Sequence, residues 1–527
     1  SSICQEDFDT NEKKYDTCGC GGGGMYVAGE KASVVVKHSE ISRSMAKNGG
    51  GGGVKMCRST SGFFDTVVFE GNRAGIPGTR APSYLGNQKM SDTGGGIRAI
   101  GADVILQNTI MRTDEHYFDL SSKSLYEPIQ KYRKIDSTIQ RTDIKFVDPV
   151  SEGFKCLTME HYHKVEKESN GAGKEFIDTE SNYFADESGL KRYGVYELGS
   201  LLALDGAGVH ITSSKPDVNG SLVVQGGSMK DLSAERRGGV IYANSPYSPE
   251  AGMPYKEFNF NCTQDDTNCI RPTVSIIDSK EAINNADAMS WTGNRGCEGG
   301  AIALNNADLI MSLIHTNETL SENKAHRGGF IWSEHSTVDL DHINLMNNGA
   351  SDLVQVDFDD NGVTPSTIFN HQIFKANKAV GLGCGGQFFG SKKTVLLLNN
   401  SLLFGGIARD GGGICLLDDT FATIEHSNIQ HNTAQPTSDG VGGGLYIASN
   451  ADVLISKSII ESNTAKYGGG MSIRNSIVAL NETKIVSNLA TPGSSSGGGG
   501  GGVYVTDGAA FTTSETIFKQ NKAERTK

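Results

Sequence analysis

The chain has few prolines, few aromatic residues and no long apolar run. Proline accounts for 12 of 527 residues and aromatic residues for 7 %. With so little proline, the abundant glycine indicates neither collagen nor a proline-rich linker. No run of about 18 apolar residues occurs, so no transmembrane segment is expected. Basic residues are not clustered and the net charge is −13, which argues against a nucleic-acid partner because nothing would neutralise a run of phosphates.

No Cys-x-x-Cys motif is present among the ten cysteines, so a paired-cysteine zinc site is not expected. Scattered cysteines in even number favour disulfides and an oxidising, extracellular or cell-surface location, with buried free thiols as the alternative. Cys262 and Cys269 close a short loop and are the first candidate for a disulfide. Cys384 and Cys415 are predicted to lie in neighbouring structural repeats and could also pair. The chain opens at Ser1 without an initiator methionine or a signal peptide, which indicates a processed chain or a fragment.

Five Asn-x-Ser/Thr sequons would permit N-glycosylation of a secreted protein, although a chain this rich in Asn, Ser and Thr contains about that many by chance. They lie at Asn219, Asn261, Asn317, Asn399 and Asn481.

Glycine is abundant, at 67 residues, and much of it belongs to a repeat. A Gly-Gly pair followed by an apolar residue recurs, as at Val54, Ile414 and Leu445. An apolar-x-x-Asn motif follows at a fixed distance. The gap is 18 residues in five repeats (54 to 72, 330 to 348, 414 to 432, 445 to 463 and 503 to 521). A fixed inner spacing with variable outer spacing predicts a repeating coil with one variable loop.

Inside each repeat apolar residues alternate with polar ones, as at Leu445, Ile447, Val453 and Ile455. A period of two predicts half-buried strands. One repeat cannot bury its apolar face alone, whereas stacked repeats bury a continuous core and pair their backbones along the stack. The sequence therefore predicts an all-β fold, a right-handed single-stranded parallel β-helix of about 12 coils.

The recurrent spacing of glycine and asparagine has a structural interpretation. Gly-Gly permits positive φ at a sharp corner. Asparagine tolerates such corners, and its stacked side chains can form a hydrogen-bonded ladder along the axis. The predicted ladder residues are Asn72, Asn323, Asn348, Asn377, Asn432, Asn463, Asn488 and Asn521.

Two segments interrupt the repeat and divide the chain. The predicted order is N-terminal coils at 1–112, an insertion at 113–195, coils at 196–243, a disulfide-containing insertion at 244–296, and C-terminal coils at 297–527. Insertions in a solenoid lie outside the core, so these segments are either partner contacts or solvated loops.

One short motif suggests a metal. Asp357, Asp359 and Asn361, followed by Gly362, match the first half of a calcium-binding loop, in which oxygens at alternate positions face one ion. Ile368 stands where the bidentate acid should be. Calcium is thus the single cofactor that the sequence suggests, with an exposed acidic turn as the alternative.

The Gly-Gly-apolar motif followed by Phe/Ile/Leu-x-x-Asn resembles the repeats of chlamydial-type polymorphic outer-membrane proteins, over roughly residues 21–112 and 297–523. The resemblance implies a β-helical passenger that is exported to the cell surface and used in adhesion. The same short motifs suit other exported β-helix proteins.

Three functions remain open. The first is a structural protein that stacks head to tail with its own copies into a filament, because the last repeat ends where the Gly-Gly near Met25 would continue it. The second is an adhesin that binds surface glycans or proteins. The third is a polysaccharide lyase or hydrolase, which needs clustered carboxylates. Acids such as Asp339, Asp341, Asp418 and Asp419 do not recur at equivalent positions, so we predict no enzymatic activity.

Overall fold

A computed structural model describes fourteen segments of the chain: residues 22–29, 31–46, 50–74, 93–113, 201–213, 219–245, 271–278, 289–296, 298–313, 318–325, 327–350, 383–435, 440–491 and 499–524. All regular structure within them is β. Within these ranges no helix is long and apolar enough to cross a membrane.

Most strands belong to three sheets of twelve strands each. The first sheet contains Met25–Val27, Val54–Met56, Ile97–Ile100, Val209–Thr212, Ile241–Asn244, Ile302–Asn305, Ile331–Glu334, Phe388–Ser391, Ile414–Leu416, Leu445–Ala448, Met471–Arg474 and Val503–Thr506. The second contains Ser33–Lys37, Ser61–Asp65, Asp103–Gln107, Ser221–Gln225, Thr273–Ile277, Asp308–Ser312, Thr337–Asp341, Val395–Asn399, Phe421–Glu425, Asp452–Ser456, Ile477–Asn481 and Ala510–Ser514. The third contains Glu40–Ser42, Val68–Glu70, Ile110–Arg112, Ser228–Lys230, Ser290–Thr292, Thr319–Ser321, Asn344–Met346, Leu402–Phe404, Asn428–Gln430, Ile459–Glu461, Lys484–Val486 and Ile517–Lys519.

Short strands continue some coils past the third sheet. Seven form one sheet: Lys324–Ala325, Gly349–Ala350, Ile407–Ala408, Thr433–Ala434, Thr464–Ala465, Leu489–Ala490 and Lys522–Ala523. Two pairs stand apart, Met45–Ala46 with Arg73–Ala74 and Leu201–Asp205 with Ser233–Arg237.

One strand from each large sheet makes one coil, and we number the coils 1 to 12 in chain order. Each strand pairs in parallel with its equivalent in the next coil, as Leu445 does with Met471 and Val453 with Val478. Neighbouring coils are therefore about 4.8 Å apart along the axis. The predicted parallel β-helix and its coil number are confirmed for the part of the chain that the structure describes.

The core lies inside the coils because alternate side chains point inward. In coil 10, Leu445, Ile447, Val453, Ile455 and Ile460 are all buried. Each contacts the equivalent side chains of the coils above and below, so one apolar core runs through the whole stack.

The Gly-Gly pairs are required at a corner where adjacent coils nearly touch. Gly442 has φ +66° and Gly443 follows it. A Cβ on Gly443 would lie 2.3 Å from the carbonyl oxygen of Gly469 in the next coil. Any larger residue would push the two coils apart there.

The structure corrects one boundary of the predicted organisation. Thr273–Ile277 and Ser290–Thr292 lie within the range 244–296 but are the second and third strands of coil 5. Buried and partly exposed residues alternate in Thr273–Ile277, as expected for a strand of the coil, with Val274 and Ile276 buried. It was missed because no Gly-Gly pair stands next to it. The other predicted boundaries stay predictions.

Candidate functional site

The asparagines of the repeat lie inside the stack and bond along its axis. The side-chain amide nitrogen of Asn463 donates to the carbonyl of Ile429 at 2.9 Å and to Oδ1 of Asn488 at 3.1 Å. Its own Oδ1 accepts the backbone N–H of Asn432 at 2.9 Å. The same pattern joins Asn432 to Asn463, Asn463 to Asn488 and Asn488 to Asn521, and in an earlier run Asn294 to Asn323 and Asn323 to Asn348. These side chains are structural and are not available to a ligand.

Glutamine replaces asparagine where the two runs meet. Gly406 occupies the ladder position of coil 8, and Gln387 stands where coils 9 to 12 have a third glycine. Gln387 accepts from Nδ2 of Asn348 at 2.6 Å and donates to the carbonyl of Phe404 at 2.9 Å. Asn377, which was predicted as a ladder residue, lies outside the described residues. The sequence also missed Asn294, whose signal was a Trp-x-x-Asn motif.

Asn72 belongs to the N-terminal coils and makes the same type of contact. Its Nδ2 donates to the carbonyl of Ile41 at 2.6 Å, and its Oδ1 accepts the backbone N–H of Ser44 at 3.0 Å. Each asparagine thus satisfies backbone groups of the preceding coil.

The predicted calcium ligands and several modification sites cannot be placed. Asp357, Asp359 and Asn361 lie outside the described residues, as do Asn261, Asn317, Cys262 and Cys269. Calcium stays a prediction. Within the described ranges no three His, Cys, Asp or Glu side chains converge as metal ligands.

The three sequons that the structure describes differ in setting. Asn219 is exposed. Asn399 and Asn481 end strands on the outer face of the second sheet, and Nδ2 of Asn399 donates to Asp341 at 3.1 Å. Their hydroxyl partners Ser401 and Thr483 are buried at the next corner, where each donates to the carbonyl of its own asparagine. The corner geometry therefore accounts for the serine or threonine two residues after each of these asparagines.

Cys384 and Cys415 form a disulfide between neighbouring coils, as predicted, with Cα atoms 5.7 Å apart. Cys57 is also disulfide-bonded, and its partner lies outside the described residues. Both Cys384 and Cys415 are buried on the outside of the first sheet. The bond therefore ties two coils together beneath a cover of side chains.

Among the acids that could serve a lyase or hydrolase, Asp341 is engaged in contacts with its neighbours. Asp341 accepts hydrogen bonds from Asn399 and Asn400 and contacts Nδ1 of His342 at 2.9 Å. Burial opposes ionisation, but the hydrogen bonds from His342 and Asn400 outweigh it and lower the pKa of Asp341. Asp418 and Asp419 form a corner, with φ of 51° and 58°.

A second set of charges lies along the axis, at the residue immediately before the first corner glycine of coils 4 to 9. From coil to coil these residues are Asp205, Arg237, Glu298, Arg327, Cys384 and Asp410, and the sign of the charge alternates from Asp205 to Arg327. Nε of Arg237 lies 2.8 Å from Oε2 of Glu298, and both side chains are more than 90 % buried. Each of these carboxylates has a cationic neighbour, unlike the two facing carboxylates of a glycosidase. Removing one partner of the Arg237–Glu298 pair would leave an uncompensated buried charge and destabilise the stack.

Outward-facing residues of the first sheet form an aromatic layer beside this column. Tyr242, Trp332 and Phe389 are at most 3 % exposed although they point away from the core. The guanidinium of Arg237 lies 5.2 Å from the ring of Trp332 and donates to the hydroxyl of Tyr242 at 2.9 Å. This part of the layer is closed and offers no surface to a ligand.

The layer opens in coils 10 to 12, where three tyrosines are partly exposed. We call Tyr446, Tyr467, Tyr504 and Arg474 the tyrosine platform. Ser472 stands between Tyr446 and Tyr504 in the outward register, so these two tyrosines are about 9.6 Å apart along the axis. The rings of Tyr467 and Tyr504 are 5.2 Å apart.

Charged groups surround these rings. Nζ of Lys466 lies 5.2 Å from the centre of the Tyr467 ring. Nε of Arg474 contacts Asp507 at 2.6 Å, with both side chains more than half exposed. Arg474 also bonds to the hydroxyl of Tyr446, whose pKa is raised by burial and by the charge of Asp410. Tyr446 therefore stays protonated at neutral pH and can donate a hydrogen bond.

Such a surface can bind a ligand that has both an apolar face and hydroxyl groups. Ring faces pack against apolar C–H groups, while phenol and guanidinium groups supply directed hydrogen bonds. The sequence analysis did not identify these tyrosines, because it considered the low aromatic content of the whole chain and not the aromatic positions within each coil. Aligning the coils would have found them, since Tyr446 and Tyr504 each follow the first apolar residue after a Gly-Gly pair.

The comparison with protein families matches residues 388–525 to the model of a right-handed beta helix region. This segment spans coils 8 to 12 and includes the tyrosine platform. The fold is thus a right-handed parallel β-helix. No curated protein and no solved structure matches the chain. A fold of this kind does not decide the activity, which depends on the site.

Proposed function

We propose that the protein is an extracellular β-helical rod that binds a glycan through the tyrosine platform. The proposal rests on how the exposure of the outward aromatic side chains changes along the first sheet. Aromatic side chains that are closed over in coils 5 to 8 become partly exposed tyrosines in coils 10 to 12. Rings that are held open on a rigid sheet face bind without first being ordered, which favours affinity.

The arrangement of the rings suits a chain of sugar units. Tyr446 and Tyr504 face the same way, two coils apart, with Tyr467 beside them. A saccharide lying along the axis would pack its C–H faces on the rings. Arg474 and Asp507 would bond to its hydroxyl groups, because both side chains are more than half exposed and Arg474 also bonds to Tyr446.

The disulfides support an extracellular location. Cys384 and Cys415 are joined across two coils, and Cys57 is bonded as well. Disulfides of this structural kind persist in oxidising compartments. The resemblance of the repeats to surface-exposed passenger proteins agrees with this location.

A binding measurement tests the proposal. The full chain is screened on an array of polysaccharide fragments, and the best ligand is titrated by calorimetry. Tyr446→Ala and Tyr504→Ala should each weaken binding about tenfold, since one packed ring contributes about 1.4 kcal/mol.

Tyr26 supplies a matched control. It occupies the same outward position in coil 1 and is 49 % exposed, so Tyr26→Ala should leave the affinity unchanged. An equal loss in all three variants, or no binding to any glycan, would contradict the proposal. Release of new chain ends from the ligand by the purified protein would instead favour the lyase or hydrolase.

End-to-end stacking is a second candidate, favoured by the last coil. Phe518 has the inward position of its strand but is 48 % exposed, because no described coil covers it. Whatever lies next to this coil must cover that apolar edge, either further chain or the first coil of a second copy. Electron microscopy of the native material tests the second case, in which fibres of one coil's diameter are expected and single particles would refute it.

A further inference from the structure

Two ion pairs lie at the tyrosine platform, and each joins one cation to one carboxylate. Nε of Arg474 lies 2.6 Å from Oδ2 of Asp507 in the next coil. Nε of Arg409 donates to Oδ2 of Asp410 at 2.7 Å, and Asp410 is close enough to Tyr446 to interact with it electrostatically. A carboxylate or sulfate group of a ligand would have to displace one of these acids to reach its cation.

The wider surroundings of the platform hold more acids than cations. We count, in coils 9 to 12, the described residues from those before the glycine corner to the first residue of the second sheet. The cations are Arg409, Lys466 and Arg474, and the acids are Asp410, Asp418, Asp419, Asp452 and Asp507. The next cations along the axis, Lys392 and Lys393, are in coil 8, roughly 14 Å from Arg474, which exceeds the screening length at physiological salt. A negatively charged ligand is therefore repelled here.

The groups that remain available at Arg474 and Asp507 include both donors and acceptors. Both side chains are more than half exposed. The carboxylate of Asp507 uses one oxygen for Arg474 and can accept further hydrogen bonds with the other. Arg474 bonds to the hydroxyl of Tyr446 and has further N–H groups to donate. Donors and an acceptor thus lie side by side across three successive coils.

Two amides continue this mixture along the corner that follows the first sheet. Nδ2 of Asn475 donates to Oδ1 of Asn450 at 3.1 Å, and both residues are exposed. Nδ2 of Asn450 can still donate, and Oδ1 of Asn475 can still accept. Asn475 directly follows Arg474, so the amides and the Arg474–Asp507 pair form one polar edge of the platform through coils 10 to 12.

We infer that the glycan bound by the platform is uncharged, an inference that rests on the proposed function. A hydroxyl group both donates and accepts, so the hydroxyls of a neutral sugar can pair with Asp507 and with Arg474. A carboxylate or sulfate group only accepts, and it would face Asp507 as a like charge. An ammonium group only donates, and it would face Arg474 as a like charge. Each charged class thus meets a repulsive group that a neutral sugar does not.

The excess of acid in the surroundings does not favour a cationic sugar at the rings themselves. Nζ of Lys466 already lies 5.2 Å from the centre of the Tyr467 ring, which is where an ammonium group would bind. Asp410 and Asp507 each have a guanidinium partner. The other three acids of the count are exposed, so water and salt screen their attraction for a cation.

Matched oligosaccharides that differ in charge alone test the inference on the full chain. A glucan, a mannan and a galactan are each compared with the same oligosaccharide oxidised to its uronate or sulfated, and chitin oligomers with their deacetylated form. Calorimetry should give the neutral member of the bound set at least about tenfold higher affinity, the difference of one well-placed polar contact. That affinity should change less than about twofold up to about 0.5 M sodium chloride, because a neutral ligand has no charge to screen.

Asp507→Asn should weaken the discrimination against anionic sugars. It removes a like charge that opposes a uronate and leaves Arg474 without its carboxylate partner, so the ratio of neutral to uronate affinity should fall at least about tenfold. Glu515→Gln is the matched control, because it makes the same change of charge in the same coil. Glu515 is exposed at the far end of the strand Ala510–Ser514, about 17 Å away, and its replacement should leave the ratio unchanged. Melting temperatures check that both variants are folded.

Three outcomes would overturn the inference and leave the proposed function intact. They are tighter binding of a uronate or sulfated oligosaccharide than of its neutral form, tighter binding of deacetylated than of intact chitin oligomers, and an equal change of the affinity ratio in both variants. The proposed function itself would be contradicted by binding to none of these oligosaccharides, or by binding that Tyr446→Ala leaves unchanged.

Discussion

Replacing Asn463 with alanine should reveal how strongly the internal ladder holds two coils together. Asn463 is fully buried. Its removal leaves the backbone N–H of Asn432 without the Oδ1 acceptor at 2.9 Å, and the carbonyl of Ile429 without the Nδ2 donor at 2.9 Å. A buried polar group that loses its partner costs about 1–3 kcal/mol. With two such groups, the expected loss is about 2–6 kcal/mol at this interface between coils.

The measurement should be local, because a stack of repeats can open at one interface without unfolding everywhere. Hydrogen exchange of the Asn432 amide reports the broken bond directly. Its exchange rate should rise roughly 30-fold to 20,000-fold, the range that corresponds to about 2–6 kcal/mol. Amides of the N-terminal coils, such as Val104, should be unaffected.

Asn521→Ala is the matched control, because this last rung of the ladder is only part-buried. Water can replace its lost partners, so protection of the Asn488 amide should fall less than that of Asn432 does in Asn463→Ala. A change below tenfold at Asn432, or equal effects in both variants, would refute the argument that the ladder is strong because it is buried.

Three other perturbations follow from the same contacts. Gln387→Gly should destabilise the chain by about 1–3 kcal/mol in urea unfolding, since Asn348 and the carbonyl of Phe404 lose their partners. Adding Gly406→Asn should restore part of this stability. If the double variant is no more stable than Gln387→Gly, the ladder cannot be completed at coil 8. Glu318 has its pKa raised to about 7 by burial and by the negative charge of Asp278, so the folded state should lose stability as the pH rises from about 4.5 to about 7 and change little above that. Glu318→Gln should remove this loss, making the variant the more stable protein at pH 8 but not at pH 4, as thermal melts at the two pH values would show. Cys384→Ala/Cys415→Ala should lower the free energy of unfolding by about 2–4 kcal/mol, and an unchanged urea midpoint would mean that the coils are held without the bond.

The fold followed from the sequence to an unusual degree because one coil repeats the same physical requirements many times. Gly443 must lack a side chain since the next coil passes within contact distance. Asn463 must be an amide because it bonds both above and below. These local requirements recur at a fixed spacing, so the spacing revealed the coil. The second strand of coil 5, Thr273–Ile277, was not predicted because it lies far along the chain from the Gly-Gly pair of its coil.

The candidate site could be predicted from the sequence much less well than the fold. The sequence drew attention to acids and sequons, while the structure placed Asp341 in a hydrogen-bonded cluster and Ser401 at a buried corner. Nothing in the local sequence distinguishes Trp332, which is closed over, from Tyr446, which is partly open. Exposure depends on neighbours in other coils, and those neighbours are about 25 to 60 residues away along the chain.

The sequence by itself determined the parallel coil, its alternating core and the internal ladder, because each rests on residue types that only one backbone geometry tolerates. Tertiary structure alone decided which outward faces meet water. The alternating charges from Asp205 to Arg327 and the tyrosine platform both depend on stacking, which brings residues of successive coils to about 4.8 Å from one another. The candidate functional surfaces therefore combine residues from several coils, and residues that are neighbours along the axis are far apart in the sequence.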